Sequence, residues 1–89
     1  MISKNYMITA PEGIHARPAT TLIRLARKYK SVVHMKKDEK RVLLNSMLNL
    51  LTIGAKGGDT ITILIEGEDE ADAALAIDNF FTKELNTFL

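Results

Sequence analysis

The chain has 89 residues, and its 12 Lys and Arg against 11 Asp and Glu leave a formal net charge of +1, which gives no bulk attraction to nucleic acid or to a membrane surface. The absence of cysteine excludes disulfides, thiolate chemistry and cysteine-ligated metal sites, and fits a reducing compartment. The length suits one domain spanning 1–89 that buries roughly 60–65% of its unfolded surface. No apolar run approaches the ~20 residues needed to span a bilayer, and Met1-Ile2-Ser3-Lys4-Asn5-Tyr6 lacks the apolar centre of a secretion signal, so a cytoplasmic location is expected.

Residues 2–9 read as a first strand, with Ile2, Tyr6 and Ile8 interleaved with polar Ser3, Asn5 and Thr9, and with Met7 blurring the alternation. Pro11, Glu12 and Gly13 turn the chain into the clearest helix, 16–28. There Ala19, Leu22, Leu25, Ala26 and Tyr29 form a buried stripe, and Arg17, Thr20, Thr21, Arg24, Arg27 and Lys28 a basic opposite face with Ile23 at its margin. Strands over 31–37 and Lys40 to Leu44, joined at Asp38-Glu39, make a hairpin in which Val33 and Met35 share one face. His34 falls on the other face with no partner at metal-ligand spacing, and reads as a surface residue.

Ser46 is placed to cap a short helix made of Met47, Leu48, Asn49, Leu50, Leu51, Thr52 and Ile53. Five of those seven are large and apolar, too many for one buried stripe. If Leu50 and Ile53 enter the core, Met47, Leu48 and Leu51 stay near the surface as an adaptable docking patch; the alternative is a helix swallowed whole by the core. A loop over 54–59 leads to the most regular strand, Thr60 to Glu66, with Ile61, Ile63 and Ile65 facing inward. Asp69 is a candidate cap for a last helix whose buried stripe would be Ala74, Ile77, Phe81 and Leu85, with Glu68, Glu70 and Asp72 near its positive end. The order βαββαβα predicts an α+β two-layer sandwich, an antiparallel sheet covered by helices on one side.

The most informative stretch is Gly13-Ile14-His15-Ala16-Arg17-Pro18-Ala19, where the first strand gives way to the first helix. Gly13 permits a turn that a Cβ would resist, and Pro18 suits a first helical turn because its missing N–H has no helical partner there. His15 therefore stands at a helix N-terminus, where unpaired amides and the dipole favour an anion, and Arg17 adds a guanidinium. A neutral imidazole is a competent nucleophile. Nucleophile, amide cradle and fixed positive charge suit a phosphoryl group carried on His15, although a His before a helix is more often a solvent-exposed neighbour of the cap than a nucleophile.

The run Thr9-Ala10-Pro11-Glu12-Gly13-Ile14-His15-Ala16-Arg17-Pro18-Ala19 resembles the phosphorylation site of HPr, the histidine phosphocarrier of the bacterial phosphoenolpyruvate-dependent sugar phosphotransferase system. The resemblance extends over nearly the whole chain and implies an open-faced sandwich with a four-stranded antiparallel sheet and three helices on one face. It implies that His15 is phosphorylated on Nδ1, that Arg17 contacts the phosphoryl group, and that the donor is enzyme I and the acceptors IIA proteins or domains. The backbone N–H groups of Ala16 and Arg17 would hold the phosphoryl oxygens, with no metal or cofactor on this chain. The family's docking face would comprise Thr20, Arg24 and Arg27 with Met47, Leu48, Leu51 and Thr52. Ser46 matches the serine that an HPr kinase/phosphorylase modifies in some relatives to signal to a transcriptional regulator, although Asn45 and Asn49 depart from the Lys and Gly that many of those relatives carry. Two rivals stand beside this reading. One is a paralogue serving nitrogen or carbon regulation. The other is a nucleic-acid-binding module, suggested by the G-x-x-G form of Gly54-Ala55-Lys56-Gly57.

Overall fold

The computed structural model describes residues 1–88; Leu89, the last residue of the expected domain, lies outside the described residues. Its elements are β1 (Ile2–Met7), α1 (Ala16–Arg27), β2 (Val32–Lys37), β3 (Lys40–Leu43), α2 (Met47–Ile53), β4 (Thr60–Glu66) and α3 (Glu70–Asn79). The α3 helix continues through a wider π-helical turn, Phe80–Glu84, and a last 3-10 turn, Leu85–Thr87. The expected element order is met.

The four strands form one antiparallel sheet in the order β1-β4-β2-β3. Central β4 alternates strictly, with Ile61, Ile63 and Ile65 at most 2% exposed. Val33 and Met35 of β2 bury on the same side, against Leu22 and Ile23 of α1, Leu50 and Ile53 of α2, and Ala73 and Ile77 of α3 in one core. Three helices thus cover one face, while the other presents Ser3, Asn5, Thr62 and Lys36. His34 lies on this open face with Arg41 Nη2 at 3.4 Å from its Nδ1, and burial, with the Arg41 charge second, lowers its pKa. Among the described residues no helix is long and apolar enough to cross a membrane.

Several boundaries and faces differ from the sequence reading, each for a tertiary reason. β1 stops at Met7 rather than Thr9 because Ile8 leaves the ladder and exchanges hydrogen bonds with the 58–59 turn, its N–H to Asp59 O and its carbonyl from Gly58 N. Ile23 is 5% exposed and belongs to the core, not to the margin of the basic face, because the first helix packs against both α2 and α3 and needs a wider apolar face than one stripe. In α3 the buried residue is Ala73, not Ala74, which is only partly covered. The π-helical turn then lets the adjacent Phe80 and Phe81 both turn inward, edge to face with centroids 5.1 Å apart.

Asp69 does occupy the N-cap position of α3, but its side chain does not cap. Its carboxylate accepts instead from the N–H groups of Lys30 and Ser31 and from the Ser31 hydroxyl, tying the α1–β2 connection to the start of α3. Those hydrogen bonds, the Ser31 hydroxyl first, lower the Asp69 pKa. Glu70 braces the turn that leads into the helix, its Oε1 accepting from Gly67 N at 3.2 Å.

Candidate functional site

The entry to α1 is shaped by a neighbouring loop. Ala10 O accepts from Gly13 N at 2.9 Å, closing a turn around Pro11 and Glu12, and Ile14 then donates its N–H to Ala55 O at 3.0 Å. Gly13 has φ +69°, and a Cβ there would lie 2.3 Å from the Ala55 carbonyl oxygen. Gly57 is close from the opposite side, since its Cβ would lie 2.7 Å from Pro11 O and 2.8 Å from Ala10 O. Two backbones therefore lie flat on each other, which only a missing side chain permits. This accounts for the Gly54-Ala55-Lys56-Gly57 loop. Gly54 ends α2 in the left-handed region with open space around it, while Ala55 and Gly57 pack under the 10–14 turn.

The loop is in turn clamped from below. Asp59 accepts from Lys56 N at 2.8 Å and lies 2.9 Å from Lys37 Nζ, while Lys37 also donates to Gly54 O at 3.1 Å. The Lys37 ammonium is the main cause holding the Asp59 carboxyl below its usual range. One lysine on β2 thus fastens both the C-terminus of α2 and the support of the 10–14 turn.

On this support His15 becomes the N-cap of α1, with extended backbone at φ −93° and ψ −170°, and its carbonyl accepts from Ala19 N at 2.9 Å. The imidazole makes no capping bond and no hydrogen bond among the described residues, and it keeps 34% of its side-chain surface exposed. Its Nε2 is 3.6 Å from Glu12 Oε2, within ion-pair reach but too long for a hydrogen bond. The amides of Ala16 and Arg17 also lack hydrogen-bond partners among the described residues, and Pro18 contributes no N–H. The helix therefore opens with two free donors directly after the histidine.

Arg17 is exposed and forms no ion pair among the described residues; its guanidinium lies over the Phe88 ring, 5.7 Å from the centroid. Thr20 Oγ1 is 2.9 Å from Ala16 O and 3.1 Å from Met47 Sδ, so it stands at the seam between α1 and α2. Arg24 is exposed, and Arg27 reaches across to α2's leading residues, donating from Nη2 to Asn45 O at 2.7 Å. On α2, Leu50 and Ile53 are buried, while Leu48 is 73% and Leu51 43% exposed, with Met47 partly covered and Thr52 exposed. Of the two alternatives for this apolar helix, the one with an exposed patch holds. Ser46 caps α2, accepting from Asn49 N at 3.1 Å. The contacts of Thr20 with Met47 and of Arg27 with Asn45 thus join the exposed side of α1, which begins at His15, to the start of α2.

Sequence reasoning missed three contributors. Glu12 was read only as a turn residue, although its place three before His15 was a signal. Lys37 and Phe88 carried no local signal, since each reaches the site through the tertiary fold.

An open-faced sandwich with a partly exposed histidine at the N-cap position of its first helix defines a small carrier-type domain. The family model described as "PTS HPr component phosphorylation site" matches residues 2–83, and the chain belongs to the HPr phosphocarrier family. The histidine-containing phosphocarrier protein of Mycoplasma is 32% identical, with 94% of this chain and 96% of that one covered at a TM-score of 0.89. HPr-C-His of Thermoanaerobacter tengcongensis is 28% identical over the full length of both chains at a TM-score of 0.92. The phosphocarrier protein HPr of Bacillus anthracis is 26% identical, covering 90% of this chain and 95% of that one at a TM-score of 0.84.

Proposed function

We propose that this chain works in the cytoplasm as a carrier that accepts a phosphoryl group on Nδ1 of His15 from phosphorylated enzyme I and passes it to IIA proteins or domains. In the first step the phosphorus–nitrogen bond to His15 forms as the bond to the donor breaks, and in the second the phosphoryl group leaves to the acceptor. The observation that carries this reading is the partly exposed His15 ring beside the Ala16 and Arg17 amides, none of which has a hydrogen-bond partner among the described residues. Oriented N–H groups stabilise the charge of the transferring group without reorganising, and an exposed site lets each partner approach in line. Glu12 Oε2 stands 3.6 Å from Nε2, so the other ring nitrogen, Nδ1, is the proposed nucleophile. Incubation with phosphoenolpyruvate, Mg²⁺ and enzyme I should add acid-labile phosphate to the wild-type chain and none to His15→Ala.

The surface formed by Thr20, Arg24, Arg27, Met47, Leu48, Leu51 and Thr52 is the proposed docking face, which fits partners with an acidic rim around an apolar groove. At the N-cap of α2, beside Met47, Ser46 is the proposed site of regulatory phosphorylation by an HPr kinase/phosphorylase, which would place a dianion at the docking face and signal to a transcriptional regulator. A mass unchanged after exposure to that kinase and ATP would end this second reading and leave Ser46 as a cap.

A further inference from the structure

The last residues of the described chain are held against the site. Leu85 is buried in the core at 1% exposure, Asn86 Oδ1 accepts from Thr9 Oγ1 at 2.7 Å, and Phe88 N donates to Leu85 O at 3.3 Å. Thr9 belongs to the segment that leads into the 10–14 turn, so the tail and the histidine loop are fastened together. This delivers the partly buried Phe88 ring to the exposed side of α1, where it forms a shallow groove with Ala16, Arg17, Thr20 and Thr21. The hydroxyls of Thr20 and Thr21 bond back to the Ala16 and Arg17 carbonyls, and no carboxylate pairs with Arg17 among the described residues. Among the described residues it is the Phe88 face that meets the guanidinium, through attraction between the cation and the negative ring face.

We infer that Phe88 is a positioning residue that parks Arg17 while His15 is unmodified, and that the contact tunes how readily the carrier gives up its phosphoryl group. The inference rests on the proposed phosphorylation of His15. A phosphoryl dianion there would draw the guanidinium off the ring, because a full charge pair outweighs a contact with a ring quadrupole. The contact then stabilises only the unmodified carrier. By linkage it lowers the affinity of His15 for the phosphoryl group and favours onward transfer.

The test measures the equilibrium constant for phosphoryl exchange between this chain and enzyme I, in wild type, Phe88→Leu and Phe88→Trp, each with Arg17 or with Arg17→Met. Phe88→Leu keeps an apolar side chain for the core and should shift the equilibrium toward the phosphorylated carrier by about two- to fivefold, the range of an exposed cation–π contact. Phe88→Trp, with its stronger ring face, should restore or exceed the wild-type value. Both shifts should vanish with Arg17→Met, which a purely structural role for Phe88 would not produce. An unshifted Phe88→Leu, or an equal shift without Arg17, overturns the inference alone. Wild type that carries no phosphohistidine overturns the underlying reading and this one with it. In the unmodified chain the Arg17 side-chain NMR signals should show a ring-current shift that Phe88→Leu removes, and its absence also overturns the inference.

Discussion

Ile14 donates its N–H to the carbonyl of Ala55 at 3.0 Å, so the residue immediately before His15 is fastened to the connection that follows α2. The histidine ring is partly exposed, but the backbone that carries it is not free to wander. A transferring site needs both properties, since an open ring meets partners and a fixed one meets them in a single geometry.

Gly13→Ala should be the most costly of the glycine substitutions around the site. It combines a left-handed φ of +69° with a Cβ 2.3 Å from Ala55 O, and denaturant unfolding should show a loss of about 2–4 kcal/mol. Gly54→Ala meets nothing within 4 Å and carries only the left-handed strain, so about 1 kcal/mol is expected. Equal losses would contradict the close-packing account of the turn.

The first helix, the β2–β3 hairpin and β4 were legible because each repeats apolar residues at the period of its own element. His15 and the exposed leucines of α2 were legible because their chemistry did not fit a plain core or surface. What escaped was set by partners distant in sequence. Asp69 looked like a cap because caps are local, yet its carboxylate is taken by Lys30 and Ser31 on another connection. Ala74 looked buried at helical spacing from Ile77, yet Ala73 takes the core position one turn before Ile77, and the π-helical turn at 80–84 then brings Phe80 and Phe81 both into the core. Lys37 and Phe88 reach the site only after the sheet and tail are assembled.

Stability should decline on acidification through its paired aspartates. Asp59, Asp69 and Asp78 are lowered from 3.8, chiefly by Lys37, Ser31 and Lys4 respectively. Because their folded pKa lies below the unfolded value, each contributes stability that is present above the unfolded value and is lost as pH falls through the folded one. His34, lowered from 6.5, acts in the same direction and begins to do so at higher pH. Lys37→Met should flatten the acid limb of a stability–pH curve below 3.8 by removing the chief cause of the Asp59 shift; an unchanged limb would contradict it.

Ser46→Ala removes the acceptor that satisfies Asn49 N. The expected loss is about 1 kcal/mol, with faster hydrogen exchange confined to the start of α2. Protection unchanged at Asn49 would show that the cap is dispensable.

Charge reversal should separate the two docking arginines. Arg24 makes no hydrogen bond or ion pair among the described residues, so Arg24→Glu should slow phosphorylation of His15 severalfold at low salt, less at high salt, with stability unchanged. Arg27→Glu should also lower stability, because Arg27 bonds to Asn45 O at 2.7 Å. Rates equal to wild type at low salt would remove the basic face from the docking surface.

The central claim is tested most directly by NMR of the ¹⁵N-labelled chain after treatment with phosphoenolpyruvate and enzyme I. Phosphorylation should appear on Nδ1 of His15, with large downfield shifts of the Ala16 and Arg17 amide protons as they bond to the phosphoryl oxygens. A phosphoryl group on Nε2 or on another residue, or amides at Ala16 and Arg17 that do not move, would contradict it.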